Sequence, residues 1–202
     1  MAAELRQPIS LSTNCVLGDL STNDAIWCEH ASRAQQARCM GIRYYAYAFD
    51  ADMTARAQAD PMSVISDDPL ADAWGMPHGA QTAVTNFEQS VPRIDMLYLD
   101  KAWSGLQKIT RPGATDRRPR PAYRMFEGQV TAHEHGWAPW VRALSPEDIP
   151  EIAEDLAELQ RAMREGETND EETGYLLEFL DRAVEFVTNV AASNRGFAYL
   201  IG

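Results

Sequence analysis

The stretch that decides the fold is MGIRYYAYAFD at residues 40–50, in which four aromatic residues lie within six positions. Aromatic residues favour strands, and the run ends at Asp50, a residue type suited to capping a helix. We therefore predict that the first strand of the domain lies here. Its aromatic side chains are expected mainly as packing residues, with a ligand-stacking platform as the alternative.

The chain upstream of this strand has a different composition. All three cysteines, Cys15, Cys28 and Cys39, lie in residues 1–39, which show neither strand nor helix periodicity. We predict a weakly structured extension over residues 1–39 and an α+β domain over residues 40–202. The cysteines and His30 lack the close ligand pairs of a typical zinc site, so unpaired thiols are expected and no metal or other cofactor is predicted.

The overall composition excludes several classes of protein. The 202 residues carry a net charge of -12 and are 45% hydrophobic, which is typical of a globular protein and unfavourable for binding nucleic acid. An apolar run of about 18 residues, as a membrane span requires, is missing from the sequence. Residues 1–14 lack the features of a secretory signal, so we expect a cytoplasmic protein.

The middle of the domain is less regular. Residues 51–91 have no clean period, and short helices joined by loops are expected there. Residues 93–99 read as a short buried strand, after which Asp100 is suited to cap a helix over residues 101–109. The prolines of residues 111–121 predict a surface loop, whose local positive charge comes from Arg117, Arg118 and Arg120.

Two amphipathic helices and a strand are predicted at the end of the chain. The first helix opens with the capping-box pattern Ser145-Pro146-Glu147-Asp148. Pro150 removes an amide that the second turn would use, so a separate turn is expected before it. The second helix covers roughly residues 170–193, and residues 197–201 form a terminal strand.

Four segments, in this order, resemble the YfbM-like family, a bacterial domain family of unknown function. The matching residues are Met40-Gly41-Ile42 with Tyr44-Tyr45, Leu97-Tyr98-Leu99-Asp100-Lys101-Ala102-Trp103-Ser104-Gly105-Leu106, Val141-Arg142-Ala143-Leu144-Ser145-Pro146-Glu147, and Gly196-Phe197-Ala198-Tyr199-Leu200-Ile201-Gly202. The resemblance covers about residues 40–202. It implies an α+β fold in which helices pack on a small, mainly antiparallel sheet, and it implies no reaction. Pro150 and the arginine-rich loop depart from the family pattern.

Two histidines form the most suggestive local cluster. His133 and His135 have the i, i+2 spacing that places two side chains on the same face of a strand, where they can share a metal. A catalytic metal needs a third protein ligand, and His78 is the remaining histidine of the domain. An exposed turn before Trp137 is the favoured interpretation.

A second group of candidates surrounds the start of the predicted middle helix. Lys101 beside Asp100 can act as a base or bind an anion where burial lowers the pKa of the lysine. The favoured alternative has Lys101 exposed and Trp103 in the core. A pocket near Tyr44, Trp103 and Trp137 is a further candidate for binding a partner.

The acidic residues are concentrated in one part of the chain. Residues 147–185 contain 14 carboxylates and three arginines. Such a helical face is commonly a solvated surface, but it also steers association with a basic protein. We therefore expect a non-enzymatic binding or interaction domain, of the kind that inhibitor or immunity proteins represent. The alternative is a small-ligand binder or enzyme with a site around Asp100, Lys101, His133 and His135.

Overall fold

Both ends of the domain contribute to the centre of one antiparallel sheet. In the computed structural model, strand β1 (Tyr44–Phe49) pairs on one side with β2 (Met96–Asp100) and on the other with the terminal strand β6 (Gly196–Ile201). Strand β5 (Trp140–Leu144) completes the strand order β2-β1-β6-β5. This antiparallel sheet with packed helices confirms the predicted α+β fold.

The structure describes residues 41–80, 85, 87–112, 118–134, 136–166 and 171–202. The predicted extension over residues 1–39 lies outside these described residues. Besides the sheet, the described residues form a two-stranded hairpin and five α-helices. These are β3 (Thr131–His133), β4 (Gly136–Ala138), α1 (Thr54–Ala59), α2 (Pro69–Trp74), α3 (Ala102–Thr110), α4 (Ile149–Glu165) and α5 (Glu171–Ala192).

Strand β1 is buried on both faces. Tyr44 and Ala46 contribute to the core beneath the helices, whereas Tyr45, Tyr47 and Phe49 contribute to a second apolar cluster. A strand covered on both faces reads as a continuous apolar run and not as alternation. This explains the aromatic sequence, since each buried large side chain stabilises the fold by roughly 1.5–3 kcal/mol.

Helices α3, α4 and α5 cover one face of the sheet. Their buried side chains include Leu106, Leu156 and Leu180, each without exposed surface. Gly105 allows α5 to approach α3 closely, because a Cβ at this position would lie 2.4 Å from a methyl carbon of Leu176. The long helices therefore bury the face of the sheet that carries Tyr44.

Short segments cover the opposite face. Residues 51–91 form α1, α2 and the two short 3-10 turns Ala51–Met53 and Pro61–Val64, as the missing period predicted. Ala57, Ile65 and Ala73 pack there against Tyr45 and Tyr47. This cover lacks a long amphipathic helix, which is why its sequence shows no helical stripe.

The separate turn predicted before Pro150 is observed at residues 146–148, directly ahead of α4. Helix α4 begins at Ile149 and takes Pro150 within its first turn, where the missing amide would have no intrahelical partner. The carboxylate of Asp148 accepts hydrogen bonds from the amide of Ser145 at 3.2 Å and from its hydroxyl at 3.0 Å. Pro150 therefore marks the start of the helix and does not disturb its second turn.

Among the described residues, no helix combines the length and the apolar content that crossing a membrane requires.

Candidate binding pocket and acidic helices

Asp100 ends strand β2 in a left-handed backbone conformation, with φ of 45°. Its carboxylate accepts hydrogen bonds from Arg43 Nε and from the Tyr98 hydroxyl, each at 3.0 Å. The prediction that Asp100 caps the following helix is wrong, because Lys101 occupies the N-cap position of α3 and no side chain caps it. The Asp100 carboxylate thus binds Arg43 and Tyr98 instead of the first amides of the helix.

Lys101 and Trp103 contact the residues that precede β1. A Cβ at Gly41 would lie 2.6 Å from Lys101 Cε, so the exposed lysine chain passes directly over this glycine. The indole of Trp103 donates a hydrogen bond to the carbonyl of Ile42 at 3.3 Å and packs against the core. Both side chains thus hold the start of the domain in place.

Tyr44 and Trp137 occupy contrasting environments. Tyr44 is completely buried and stacks on Tyr199, with 5.3 Å between ring centroids. Burial raises the pKa of Tyr44 well above its ordinary value. Trp137 is half-buried in the β3–β4 hairpin, opposite Ala132. Tyr44 therefore offers no surface to a ligand.

His133 lies on the exposed hairpin formed by β3 and β4. It is the last residue of β3 and pairs with Gly136 across the turn. The strand that would carry both histidines thus ends before His135, which lies outside the described residues. Within the described part of the chain, no three His, Cys, Asp or Glu side chains come together as a metal-binding group.

A pocket of about 660 Å³ lies along β2, the edge strand of the sheet. Met96, Leu97 and Tyr98 of this strand line it, together with Asp100 and Arg43. Burial and the charge of Asp100 raise the pKa of Tyr98 to about 12, so its hydroxyl remains protonated. Asp100 is the one predicted site residue among the described residues that line this pocket.

One wall of the pocket comes from the cover over residues 51–91. Trp74 and Phe87 meet edge to face at 5.2 Å between ring centroids. The guanidinium of Arg43 lies 5.3 Å from the centre of the Trp74 ring, within the range of a cation–π contact. Phe87 has φ of 59° and keeps 68% of its surface exposed, so an aromatic ring stands at the rim.

The opposite wall comes from helix α5. Phe179, Arg182 and Glu185 line it, and the guanidinium of Arg182 stacks on the Phe179 ring at 4.7 Å from its centre. Arg182 is also paired with Glu178 at 2.5 Å. Because Phe179 keeps only 7% of its surface exposed, this wall presents mainly the charged groups of Arg182 and Glu185.

Arginines from another segment neutralise part of the acidic helices. Arg120 binds the buried Asp155 through Nε at 2.9 Å, and Arg124 binds Asp148 at 2.8 Å and also pairs with Glu151. A count over residues 147–185 alone omits these two cations. The beginning of α4 is consequently less acidic than the sequence count suggested.

The carboxylates that retain an uncompensated charge are concentrated where α4 and α5 meet. Among the described residues of the two helices, ion pairs are missing for Glu154, Glu165, Glu171, Glu172 and Glu185. Three of these, Glu165, Glu171 and Glu172, flank the connection between the helices, and all three are exposed. The sequence of that connection adds Glu167 and Asp170. We call Glu165, Glu171 and Glu172 the acidic tip.

Sequence reasoning missed most of the pocket. Trp74 and Phe87 lie in the stretch without periodicity, and Arg182 and Glu185 read as ordinary members of a solvated helix face. The available signal was the continuous apolar run of β2, which needs cover on both faces and so implies neighbours at the edge of the sheet. The residues that supply this cover come from segments distant in sequence, so only the tertiary structure identifies them.

No family model, curated protein or solved structure matches the chain.

Proposed function

We propose that this protein is a non-enzymatic interaction domain that binds a basic protein partner through the acidic tip. The observation that carries the proposal is the group of exposed carboxylates of Glu165, Glu171 and Glu172 on either side of the connection between α4 and α5, which form no ion pair among the described residues. Clustered charges of one sign raise the association rate of an oppositely charged partner. Such behaviour is shared with inhibitor and immunity proteins, and the YfbM-like resemblance is compatible with it.

The pattern of ion pairs favours a partner over a merely solvated surface. Asp148, Glu151 and Asp155 are compensated by arginines of another segment, which hold α4 to the rest of the domain. Asp181 of α5 is compensated by Arg164 of α4, which holds the two helices together. The carboxylates of the acidic tip, in contrast, contribute mutual repulsion and no ion pair among the described residues. A basic surface that approached them would relieve that repulsion.

The enzyme hypothesis has weaker support. It needs Asp100, Lys101, His133 and His135 to act on one substrate, yet Asp100 is bound to Arg43 and Lys101 passes over Gly41. His133 lies at the end of a strand in a separate two-stranded sheet. The described part of the chain therefore supports a binding role better than a catalytic one.

Affinity capture from the native host tests the proposal directly. Three immobilised forms are compared: the parent, the triple variant Glu165→Gln/Glu171→Gln/Glu172→Gln, and the control Asp52→Asn/Asp67→Asn/Glu134→Gln. The control removes the same number of exposed carboxylates from other elements. We expect the parent and the control to retain a basic protein at about 0.05 M salt and to release it at about 0.5 M, where screening is much stronger.

Mass spectrometry of the released proteins gives the result. The triple variant should retain at least about tenfold less of the basic protein, since several charge contacts are lost together. Recovery of no salt-sensitive basic protein would contradict the proposal. Equal capture by the triple variant and the parent would contradict it as well.

A further inference from the structure

We infer that the pocket along β2 is a binding site for a small aromatic zwitterion, that is, an aromatic amino acid or a compound of that class. This site is separate from the acidic tip and does not depend on the proposed interaction function. Its volume of about 660 Å³ lies within the range of about 300–1,000 Å³ that small-molecule sites occupy.

The edge of β2 is closed to an added strand at one position. The amide of Met96 donates to the carbonyl of Pro92 at 3.0 Å, and the carbonyl of Met96 accepts from Gln89 Nε2 at 3.0 Å. Both main-chain groups of Met96 are thus occupied by the same chain. An extended peptide that pairs with β2 would have to break these bonds, so the pocket favours a compact ligand over an added strand.

The walls are suited to a planar ring. Trp74 and Phe87 present aromatic surfaces on one side, and the planar guanidinium of Arg182, which covers the buried Phe179 ring, presents a flat surface on the other. Aromatic rings pack favourably in offset-stacked or edge-to-face contacts, with a contribution of about 0.5–1.5 kcal/mol beyond the area buried. The exposed Phe87 ring in particular gains cover when a ring lies beside it.

The charges of the lining are suited to a zwitterion. The guanidinium of Arg43 is bound to Asp100, and that of Arg182 is bound to Glu178. Among the described lining residues, Arg93 and Glu185 form no ion pair, and both are exposed at the rim. One cation and one anion without partners match a ligand that carries one carboxylate and one ammonium group.

Calorimetric titration of the full chain with L-phenylalanine and L-tryptophan tests the inference. We expect saturable binding with a dissociation constant of about 1 mM or tighter, as a small ligand with a buried ring allows. The matched compounds are L-leucine, phenethylamine and 3-phenylpropionate, which lack the ring, the carboxylate and the ammonium group respectively. L-Leucine should bind at least about tenfold more weakly, since the aromatic contacts are lost.

Two variants connect the charges to the lining residues. Arg93→Gln and Glu185→Gln should each weaken L-phenylalanine binding about two- to fivefold, the factor of an exposed ion pair. Arg93→Gln should leave the affinity for phenethylamine unchanged, and Glu185→Gln should leave that for 3-phenylpropionate unchanged. The controls Arg111→Gln and Glu154→Gln change exposed charges outside the described lining and outside the acidic tip, and should bind as the parent does.

Several outcomes would overturn the inference. Absence of saturable binding of both aromatic amino acids up to about 10 mM would do so, because a binding site of this volume should have a higher affinity for its ligand. Equal affinities for L-leucine and L-phenylalanine would show that the walls of the pocket do not bind an aromatic ring. An unchanged affinity of both lining variants for L-phenylalanine would show that Arg93 and Glu185 do not bind the charged groups of the ligand. The comparison of ligands tests the site even where a variant fails to fold.

Discussion

The two faces of the sheet bury tyrosine hydroxyls under different conditions. On the helical face, the hydroxyl of Tyr44 has no hydrogen-bond partner among the described residues. On the opposite face, the hydroxyl of Tyr47 donates to Asp72 Oδ2 at 2.7 Å, and Asp72 also contacts His78 Nε2 at 2.9 Å. The two tyrosines of β1 therefore differ: the side chain of Tyr44 is held by packing without a hydrogen bond among the described residues, whereas that of Tyr47 is also bound to the short cover over residues 51–91.

Truncation of a leucine should give the largest difference in stability between the two faces of the sheet. Leu156→Ala removes a fully buried side chain from α4 and should lower the free energy of unfolding by about 2–5 kcal/mol. Leu70→Ala in α2 is the matched change in the cover, where the side chain is half-buried, and should cost less than half as much. Urea unfolding of both variants gives the two values, and equal losses would show that the cover is packed as tightly as the helical layer.

Tyr47→Phe should have an intermediate effect. The variant keeps the ring but leaves the buried Asp72 carboxylate without one of its donors, so we expect a loss of about 1–3 kcal/mol. Burial opposes ionisation of Asp72, yet hydrogen bonds from Ser66, His78 and Tyr47 hold its pKa below the ordinary value. Unfolding measurements with an unchanged denaturant slope test this, and an effect below about 0.5 kcal/mol would refute the role of the contact.

Tyr44→Phe should behave differently although the residue type and strand are the same. The removed hydroxyl is buried without a partner, so its loss removes a desolvation penalty and no hydrogen bond. We expect a change of less than about 1 kcal/mol, towards greater stability. A clear destabilisation in the same unfolding assay would mean that the hydroxyl is satisfied, for example by a buried water molecule.

The smallest expected effect is a pH dependence on the cover side. The hydrogen bond to Asp72 raises the pKa of His78, and the charges of Asp72, Asp68 and Asp67 add to the shift. A raised pKa means that the folded state binds the proton more tightly. The contribution of His78 is therefore complete below its unfolded pKa and is lost as the pH rises through the folded pKa.

The stability difference between the parent and His78→Gln measures this contribution. It should be largest near pH 5 and should shrink by about pH 9, with most of the change at and above the ordinary histidine pKa. His78 keeps 55% of its side chain exposed, so the amplitude should be small. A difference that grows with pH would contradict the assigned direction.

The regular elements were predictable because their patterns are local. The strand at residues 93–99 is observed as Met96–Asp100, and the helix expected over residues 170–193 is observed as Glu171–Ala192. The strand predicted from residue 40 begins at Tyr44. These boundaries follow from side-chain periodicity and capping residues, which each segment carries in its own sequence.

The candidate sites were predictable only in part. Asp100 was identified, but its helix-capping role was wrong, because Arg43 lies 57 residues away in sequence and binds its carboxylate. The acidic character of α4 and α5 was identified, but Arg120 and Arg124 neutralise the beginning of α4. Both differences come from ion pairs between segments distant in sequence.

The sequence by itself determined the α+β class, the place of the aromatic first strand and the acidic composition of the last two helices. These properties depend on residue type and on spacing within one segment. Only the tertiary structure decided that β2 is the edge strand, that Trp74, Phe87 and Phe179 meet around it, and that the unpaired charge is concentrated at the acidic tip. The physical reason is that pockets and ion pairs form between side chains brought together by folding, and local periodicity carries no information about which segments meet.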